Sequence, residues 1–166
     1  MKDHFLYVDN FPENYSWYKR VSSLVLLNVC GLQVVKRKNL LTNKDIVISR
    51  EILQRGDVIL LGNLKTVFSS FLQDPVTHVG LAVNRNKIVH SIPSGVEITS
   101  MKDIYKQYDC LVVLRATLLE KERKILCKRA VSFAKSHFCA PYNFFFTNVP
   151  NSCFCSAFVN DALKEG

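Results

Sequence analysis

Five short β-rich runs between residues 57 and 116 constrain the fold of this chain more than any other feature. In chain order they are DVILLG (57–62), THVGLAV (77–83), KIVHSI (87–92), VEIT (96–99) and CLVVLRA (110–116). Gly, Pro, Asn and Asp cluster between several of them, as is typical of turns. Helical patterns occupy residues 14–29 and 117–136 on either side. Together these patterns predict an α+β fold, an antiparallel sheet or half-barrel packed against helices.

Residues 1–50 are predicted to form an N-terminal helical extension that packs on the same globular unit as residues 51–166. Five residues of the first helical pattern recur at three- or four-residue spacing: Trp17, Val21, Leu24, Val25 and Asn28. This spacing predicts that they share one side of the helix. The run 110–116 predicts a buried strand. Thr117 and Glu120 form a capping-box signature, which predicts where the second helix begins.

The composition of the 166 residues is that of one globular domain, with 48% hydrophobic and 22% charged residues. The longest strongly apolar stretch, 24–35, is too short for a transmembrane helix, and the N-terminus has no signal-peptide pattern. The six cysteines are therefore expected to be reduced and the location to be cytoplasmic, with possible peripheral attachment to membranes. A net charge of +8 suits an anionic membrane or an acidic host protein; nucleic acid is not expected as a partner.

The stretch NSCFCSAFVNDAL (151–163) raises the question of which cysteine is reactive. Asn151 or Ser152 is predicted to cap a helix in which Cys155 lies in the first turn. Phe158, Val159 and Ala162 continue the pattern from Cys155, so the thiol faces inward. Unpaired N–H groups and the helix dipole there favour the thiolate. Cys153 precedes the helix and gains less. Ordinary core packing of Cys155 remains the alternative.

A thiolate needs a base, and the two β-rich runs around residue 85 supply candidates. If residues 84–86 form a three-residue hairpin loop, Gly80 lies opposite His90, and His78 is the diagonal neighbour of His90 on the same face. A loop of two or four residues would place the two rings on opposite faces. The set Cys155, His78 and His90 then matches a nucleophile, a base and a residue that orients the base.

The order of several motifs resembles a circularly permuted NlpC/P60 domain, a papain-like thiol fold, over about residues 52–163. The motifs are RGDVI (55–59), THVG (77–80), the pair Pro141-Tyr142 and CSAFV (155–159). The resemblance implies Cys155 as nucleophile, His78 as base, His90 as third polar residue and Tyr142 near the reacting carbonyl. It also implies that the backbone N–H of Cys155 stabilises the oxyanion. In length and N-terminal segment the chain is similar to the poxvirus member of the superfamily.

This resemblance implies a cysteine-dependent hydrolase or acyltransferase that acts on an amide, thioester or ester through an acyl-thioester on Cys155. Phe144, in the aromatic run 142–146, and Gly80 are further candidates for substrate binding. The expected substrate is a lipid or a lipidated molecule. The glycines that follow the PY pair in cell-wall hydrolases are missing, so peptidoglycan cleavage is not predicted. No cofactor and no metal are expected. The alternatives are a host-interaction module on a papain-like shell and a zinc site made by Cys153, Cys155, His78 and His90.

Overall fold

The computed structural model describes residues 8–32, 40–67, 69, 75–147 and 150–165. Its sheet has five strands: β1 (Val58–Gly62), β2 (His78–Asn84), β3 (Lys87–Ile92), β4 (Gly95–Ser100) and β5 (Cys110–Leu114). They lie in the order β4-β3-β2-β1-β5, and every neighbouring pair is antiparallel. The predicted α+β class is therefore confirmed, and all five predicted β-rich runs form strands.

Five helices are seen in the described part of the chain: α1 (Trp17–Gly31), α2 (Asn43–Ile52), α3 (Met101–Gln107), α4 (Glu120–Ser136) and α5 (Cys155–Lys164). Helix α2 runs across the predicted domain boundary at residue 50. Sequence patterns missed α2, which has a capping box between Thr42 and Asp45, and α3, which Ser100 caps. Among the described residues, no helix is long and apolar enough to cross a membrane.

Each face of the sheet carries its own core, because successive strand residues point to opposite faces. Helices α4 and α5 cover one face, where Val79 and Leu81 meet Val131 and Phe158. The other face packs against α3 and the segment around α2. Its buried residues are Leu53, Ile59, Leu61, Ala82, Ile88, Met101, Ile104 and Tyr105. The sheet is thus covered on both sides, which leaves the ends of its strands as places for a site.

The predicted N-terminal helix is confirmed as α1. The side that carries Trp17, Val21, Val25 and Asn28 faces solvent, and Leu24 packs against the inner cluster. The helix is oriented by the contacts that its other side makes with the rest of the chain, which periodicity alone does not reveal.

Two local predictions, on β5 and α4, are wrong. Strand β5 is the edge of the sheet, so Val112 and Leu114 are 46% and 48% exposed instead of buried. Helix α4 begins at Glu120 with Leu119 as its N-cap and no side-chain cap bond, so the predicted Thr117–Glu120 capping box does not form.

Candidate active site

Helix α5 begins at Cys155, two residues later than a cap at Ser152 and three later than a cap at Asn151 would imply. Phe154 is the N-cap residue, and it makes no side-chain cap bond, so the predicted caps are wrong. The predicted orientation is right: Phe158 and Val159 are buried, and Cys155 packs against the same core. Cys155 is therefore the first helical residue, next to the unpaired backbone N–H groups.

Burial raises the pKa of the Cys155 thiol above its ordinary value. Backbone N–H groups of Val79, Ser156 and Cys155 itself, with the Tyr142 hydroxyl, bond to the thiolate and act in the opposite direction. Desolvation outweighs them, so the expectation of a lowered pKa is wrong. At neutral pH the resting thiol is protonated, and its attack on a substrate requires a base.

The register of the β2–β3 hairpin is as predicted, but its turn is not. Asn84 pairs with Lys87, which leaves a two-residue turn instead of the predicted loop 84–86. A bulge between Ala82 and Asn84 adds one residue and restores the Leu81–Val89 pairing. Without that bulge, a two-residue turn would have placed His78 and His90 on opposite faces.

The two imidazole rings lie in a chain of hydrogen bonds. His78 Nε2 is 2.8 Å from His90 Nδ1, and His90 Nε2 is 2.8 Å from Thr99 Oγ1. Thr99 donates in turn to Glu97 Oε1 at 2.8 Å, and this carboxylate oxygen is 3.9 Å from His90 Nε2. The strand pairing explains the geometry, since His90 pairs with Glu97 on β4 and Thr99 is two residues further on the same face.

This chain of bonds fixes the tautomers of both rings. Thr99 has one hydroxyl proton and gives it to Glu97, so its oxygen accepts the N–H of His90 Nε2. His90 Nδ1 then carries a lone pair in the neutral ring and accepts the N–H of His78 Nε2. The other nitrogen of His78, Nδ1, is left with a free lone pair. That nitrogen is the one able to take a proton.

Both rings are neutral at pH 7. Burial, assisted by the nearby His90, lowers the pKa of His78 to about 3. Burial also lowers the pKa of His90 to about 4. A neutral His78 and a protonated Cys155 thiol suit general-base catalysis and not a preformed thiolate–imidazolium pair.

Two tyrosines line the space between the thiol and His78. Burial raises the pKa of Tyr142, and its interaction with Cys155 raises it further. Tyr108 stacks on His78, with ring centroids 5.8 Å apart and planes 11° apart. Burial and then Cys155 raise its pKa as well. Both hydroxyls therefore stay protonated and are able to donate hydrogen bonds.

The thiol lies near the start of β2, where His78 is the first residue. The sulfur reaches the N–H of Val79, the residue after His78. Among the described residues, no hydrogen bond joins the Cys155 sulfur to the His78 ring. In unliganded enzymes such bonds are often long and tighten only when substrate binds.

Gly80 and Phe144, which the sequence analysis named as candidates for substrate binding, both lie in packed surroundings. A Cβ added to Gly80 would lie 3.2 Å from His90 Cβ, so the missing side chain makes room for the His90 side chain. Gly80 itself is buried. Phe144 is 2% exposed and packs with Val8 and Tyr15 beneath α1. Its ring supports the loop that carries Tyr142.

Cys153 lies in the loop before α5, as predicted. It forms an isolated bridge with Tyr142, and its carbonyl accepts a hydrogen bond from Ser91 Oγ at 2.9 Å. Burial raises its thiol pKa. Within the part of the chain that the structure describes, no three His, Cys, Asp or Glu side chains are arranged to hold a metal ion. His4, one of the four histidines of the sequence, lies outside the described residues.

Two cavities lie away from these residues. One, at the β2–β3 turn, is bordered by Arg55, Arg85 and Lys135. The other lies between α2 and β5, beside Ile48 and Tyr105. Neither of the two is lined by Cys155, His78 or His90.

Sequence reasoning missed Glu97, Thr99 and Tyr108. A signal existed for the first two: a two-residue turn at Pro93-Ser94 places Glu97 opposite His90, and alternation puts Thr99 on the same face. Tyr108 had no such signal. It follows α3, which sequence patterns did not detect, and reaches His78 only through the tertiary packing.

The family model described as "Permuted papain-like amidase enzyme, YaeF/YiiX, C92 family" matches residues 52–166. The match covers more than half of the chain and includes His78, His90 and Cys155. No curated protein and no solved structure is significantly similar to the chain. The match confirms the permuted papain-like fold and nearly the same span that the motifs indicated.

Proposed function

Because this chain belongs to the permuted papain-like amidase family YaeF/YiiX, C92, we propose that it hydrolyses an amide bond through an acyl-thioester on Cys155. Family membership supports cysteine hydrolase chemistry. The choice of Cys155 as nucleophile rests on its position at the start of α5, where N–H groups and Tyr142 surround the sulfur. His78 is the base and His90 the residue that orients it.

The observation that carries this proposal is the tautomer chain from Glu97 to His78. It leaves His78 Nδ1 with a free lone pair to receive the thiol proton as the sulfur attacks the carbonyl carbon. The N–H groups at the start of α5 stabilise the oxyanion, assisted by the Tyr142 hydroxyl. The proton on His78 then passes to the departing amine. Water, deprotonated by the same nitrogen, attacks the acyl-thioester and releases the acid and the free thiol.

The finer features of the function remain proposals. Ester or thioester substrates and transfer of the acyl group to an acceptor other than water use the same acyl-thioester. A lipidated substrate agrees with the exposed aromatic residues Phe145 and Phe146, which follow Tyr142. The likeness to the poxvirus member, the cytoplasmic location and a host protein as partner stay predictions from the sequence.

An electrophilic thiol probe tests the nucleophile and its base. With a chloromethyl ketone probe at neutral pH, mass spectrometry is expected to find label on Cys155 ahead of the other five cysteines. Cys155→Ala abolishes this labelling, and His78→Ala slows it by about 100-fold, a typical loss for a general base. Cys153→Ser is the matched control and keeps the wild-type rate.

Labelling of Cys155 that is no faster than that of the urea-unfolded chain, or that ignores His78→Ala, would refute the proposal. It would favour the alternative, a host-interaction module on a papain-like shell. If labelling is as expected, a panel of acyl amides, followed by acid quenching and mass spectrometry of the acyl group on Cys155, identifies the substrate class.

A further inference from the structure

Helix α1 turns an apolar side toward solvent, here called the α1 outer face. It consists of Trp17, Tyr18, Val21, Val25, Leu26 and Val29, which are between 43% and 76% exposed. A surface helix of a globular protein normally turns its apolar side to the core and its polar side to water. The α1 outer face does the reverse, and contiguous apolar surface of this kind marks an interaction site.

The orientation of α1 is held by specific contacts of its inner side. Leu24 and Leu27 pack against the cluster that contains Phe144, and Ser23 is buried. Just before the helix, the Tyr15 hydroxyl donates to Asn143 Oδ1 at 3.1 Å and accepts from the Phe144 N–H at 3.1 Å. These contacts fix which side of the helix faces outward.

Helix α1 itself carries only positive charge: it contains Lys19 and Arg20 and no acidic residue, whereas α2 and α4 mix both signs. Lys19 precedes Leu26 by seven residues and Arg20 follows Trp17 by three, so helical spacing places the two cations at the edges of the face. There Lys19 lies over the Tyr15 ring and Arg20 over the Phe11 ring. The sequence continues after α1 with three consecutive basic residues at 36–38, within a chain of net charge +8.

We propose that the α1 outer face docks onto an anionic phospholipid membrane, with the helix lying in the plane of the interface. Aliphatic side chains enter the acyl boundary, the aromatic pair Trp17 and Tyr18 sits at headgroup level, and the flanking cations meet the lipid phosphates. Besides the two cations, the polar side chains of α1 next to the face are Ser22 and Asn28, and both already donate to carbonyls of the helix, so they offer little to a protein partner.

Two further exposed aromatic residues have ring contacts near the start of α1 and next to Cys155. Phe145 is 41% exposed, and its ring centroid is 5.5 Å from that of Tyr15 at the start of α1. Phe146 is 52% exposed and contacts Phe154, the residue before Cys155, at 5.2 Å. Docking of α1 would therefore hold the start of α5 close to the lipid. The docking itself does not depend on catalysis.

The single tryptophan makes the test direct, because Trp17 is 76% exposed at one end of the face. In buffer, full-length protein is expected to show solvent-exposed tryptophan emission. Vesicles of phosphatidylcholine with 30% phosphatidylserine, a composition chosen for the assay at about the anionic content of a cytoplasmic leaflet, should shift this emission to the blue and sediment the protein. Pure phosphatidylcholine vesicles and 0.5 M salt should each weaken binding at least about tenfold.

A pair of double variants separates the face from general charge effects. Val21→Glu with Val25→Glu should weaken sedimentation at least about tenfold. The matched control, Val47→Glu with Leu119→Glu, places the same substitutions at exposed apolar residues of α2 and the α4 N-cap and should bind nearly as the parent does. Circular dichroism of each variant verifies that it is folded.

Three results would overturn the proposal. Blue-shifted emission of a monomer without lipid would mean that another segment of this chain covers the face. Emission that shifts with protein concentration in step with dimer formation would assign the face to a second copy. Exposed emission that anionic vesicles leave unchanged would exclude the membrane, and full labelling of Cys155 in the same sample would show that the catalytic proposal stands separately.

Discussion

Thr99 illustrates how one hydroxyl sets the tautomers of two successive imidazole rings. It has a single proton, and Glu97 takes it, so the oxygen becomes an acceptor for His90. Every tautomer after that is forced, because each neutral imidazole has one donor and one acceptor. The residue touches neither thiol nor substrate, and its effect passes through His90 to His78.

Thr99→Val is expected to lower the rate of probe labelling at Cys155 by about 10–100-fold, as loss of an outer hydrogen-bond partner of a functional histidine commonly does. The isosteric valine leaves His90 Nε2 without its acceptor, so both tautomers of His78 become populated. Long-range ¹H–¹⁵N spectra measure the tautomers directly, and Thr99→Ser should restore both rate and spectrum. Unchanged His78 tautomers in Thr99→Val would show that the hydroxyl does not orient the pair.

At the scale of the elements, one buried ion pair attaches the edge strand to the sheet. Asp57, just before β1, is 1% exposed and accepts from Arg115 Nε and Nη2 at 2.8 and 2.7 Å, at the end of β5. The same carboxylate accepts the Gln54 N–H at 2.7 Å, which joins the end of α2 to the strand. The aspartate of the RGDVI motif, Asp57, therefore has a structural role.

Arg115→Met is expected to destabilise the fold by about 1–3 kcal/mol in urea unfolding. Removal of one partner leaves the buried Asp57 carboxylate with too few donors, which is costly. The figure is set below that of a fully buried pair because the Arg115 side chain is 36% exposed and partly screened. The control, Lys124→Met, removes the exposed α4 pair with Glu120 and should leave the unfolding midpoint unchanged. Equal effects of the two variants would contradict a stabilising role of the Asp57–Arg115 ion pair.

For the whole molecule, the neutral histidine pair couples stability to pH. His78 and His90 have pKa values of about 3 and about 4 in the folded chain, against about 6.5 when unfolded. Between these values the unfolded chain binds more protons than the folded one. Their contribution to stability is therefore complete above pH 6.5 and is lost as the pH falls toward 4.

The free energy of unfolding is expected to fall by on the order of 1–3 kcal/mol per pH unit between pH 6 and 5, measured by urea titration. This window lies above the range in which most carboxylates titrate. His90→Gln removes one of the two buried imidazoles and should reduce the slope by roughly half. Stability that rises as the pH falls, or a slope unaffected by the substitution, would show that these rings are not held neutral.

The sequence by itself determined the strands and the inward face of α5, and it singled out Cys155, His78 and His90 as candidate site residues. Two patterns are local: the alternation of residues within β2 and β3, and the helical spacing from Cys155 to Ala162. Any fold that buries one face of a strand or helix requires such a pattern. The order of motifs along residues 52–163 was likewise sufficient to indicate the papain-like family that the match over 52–166 confirms.

Tertiary structure decided the features that depend on residues far apart in the chain. A bulge, not the turn length, kept His78 and His90 on one face. Burial of the Cys155 thiol, and not the helix dipole, determined that its pKa is raised. The outward apolar side of α1 follows from contacts with Phe144, about 120 residues away. Local patterns specify which side chains share a face, but only the packed chain determines what each face meets, and burial and pKa follow from that.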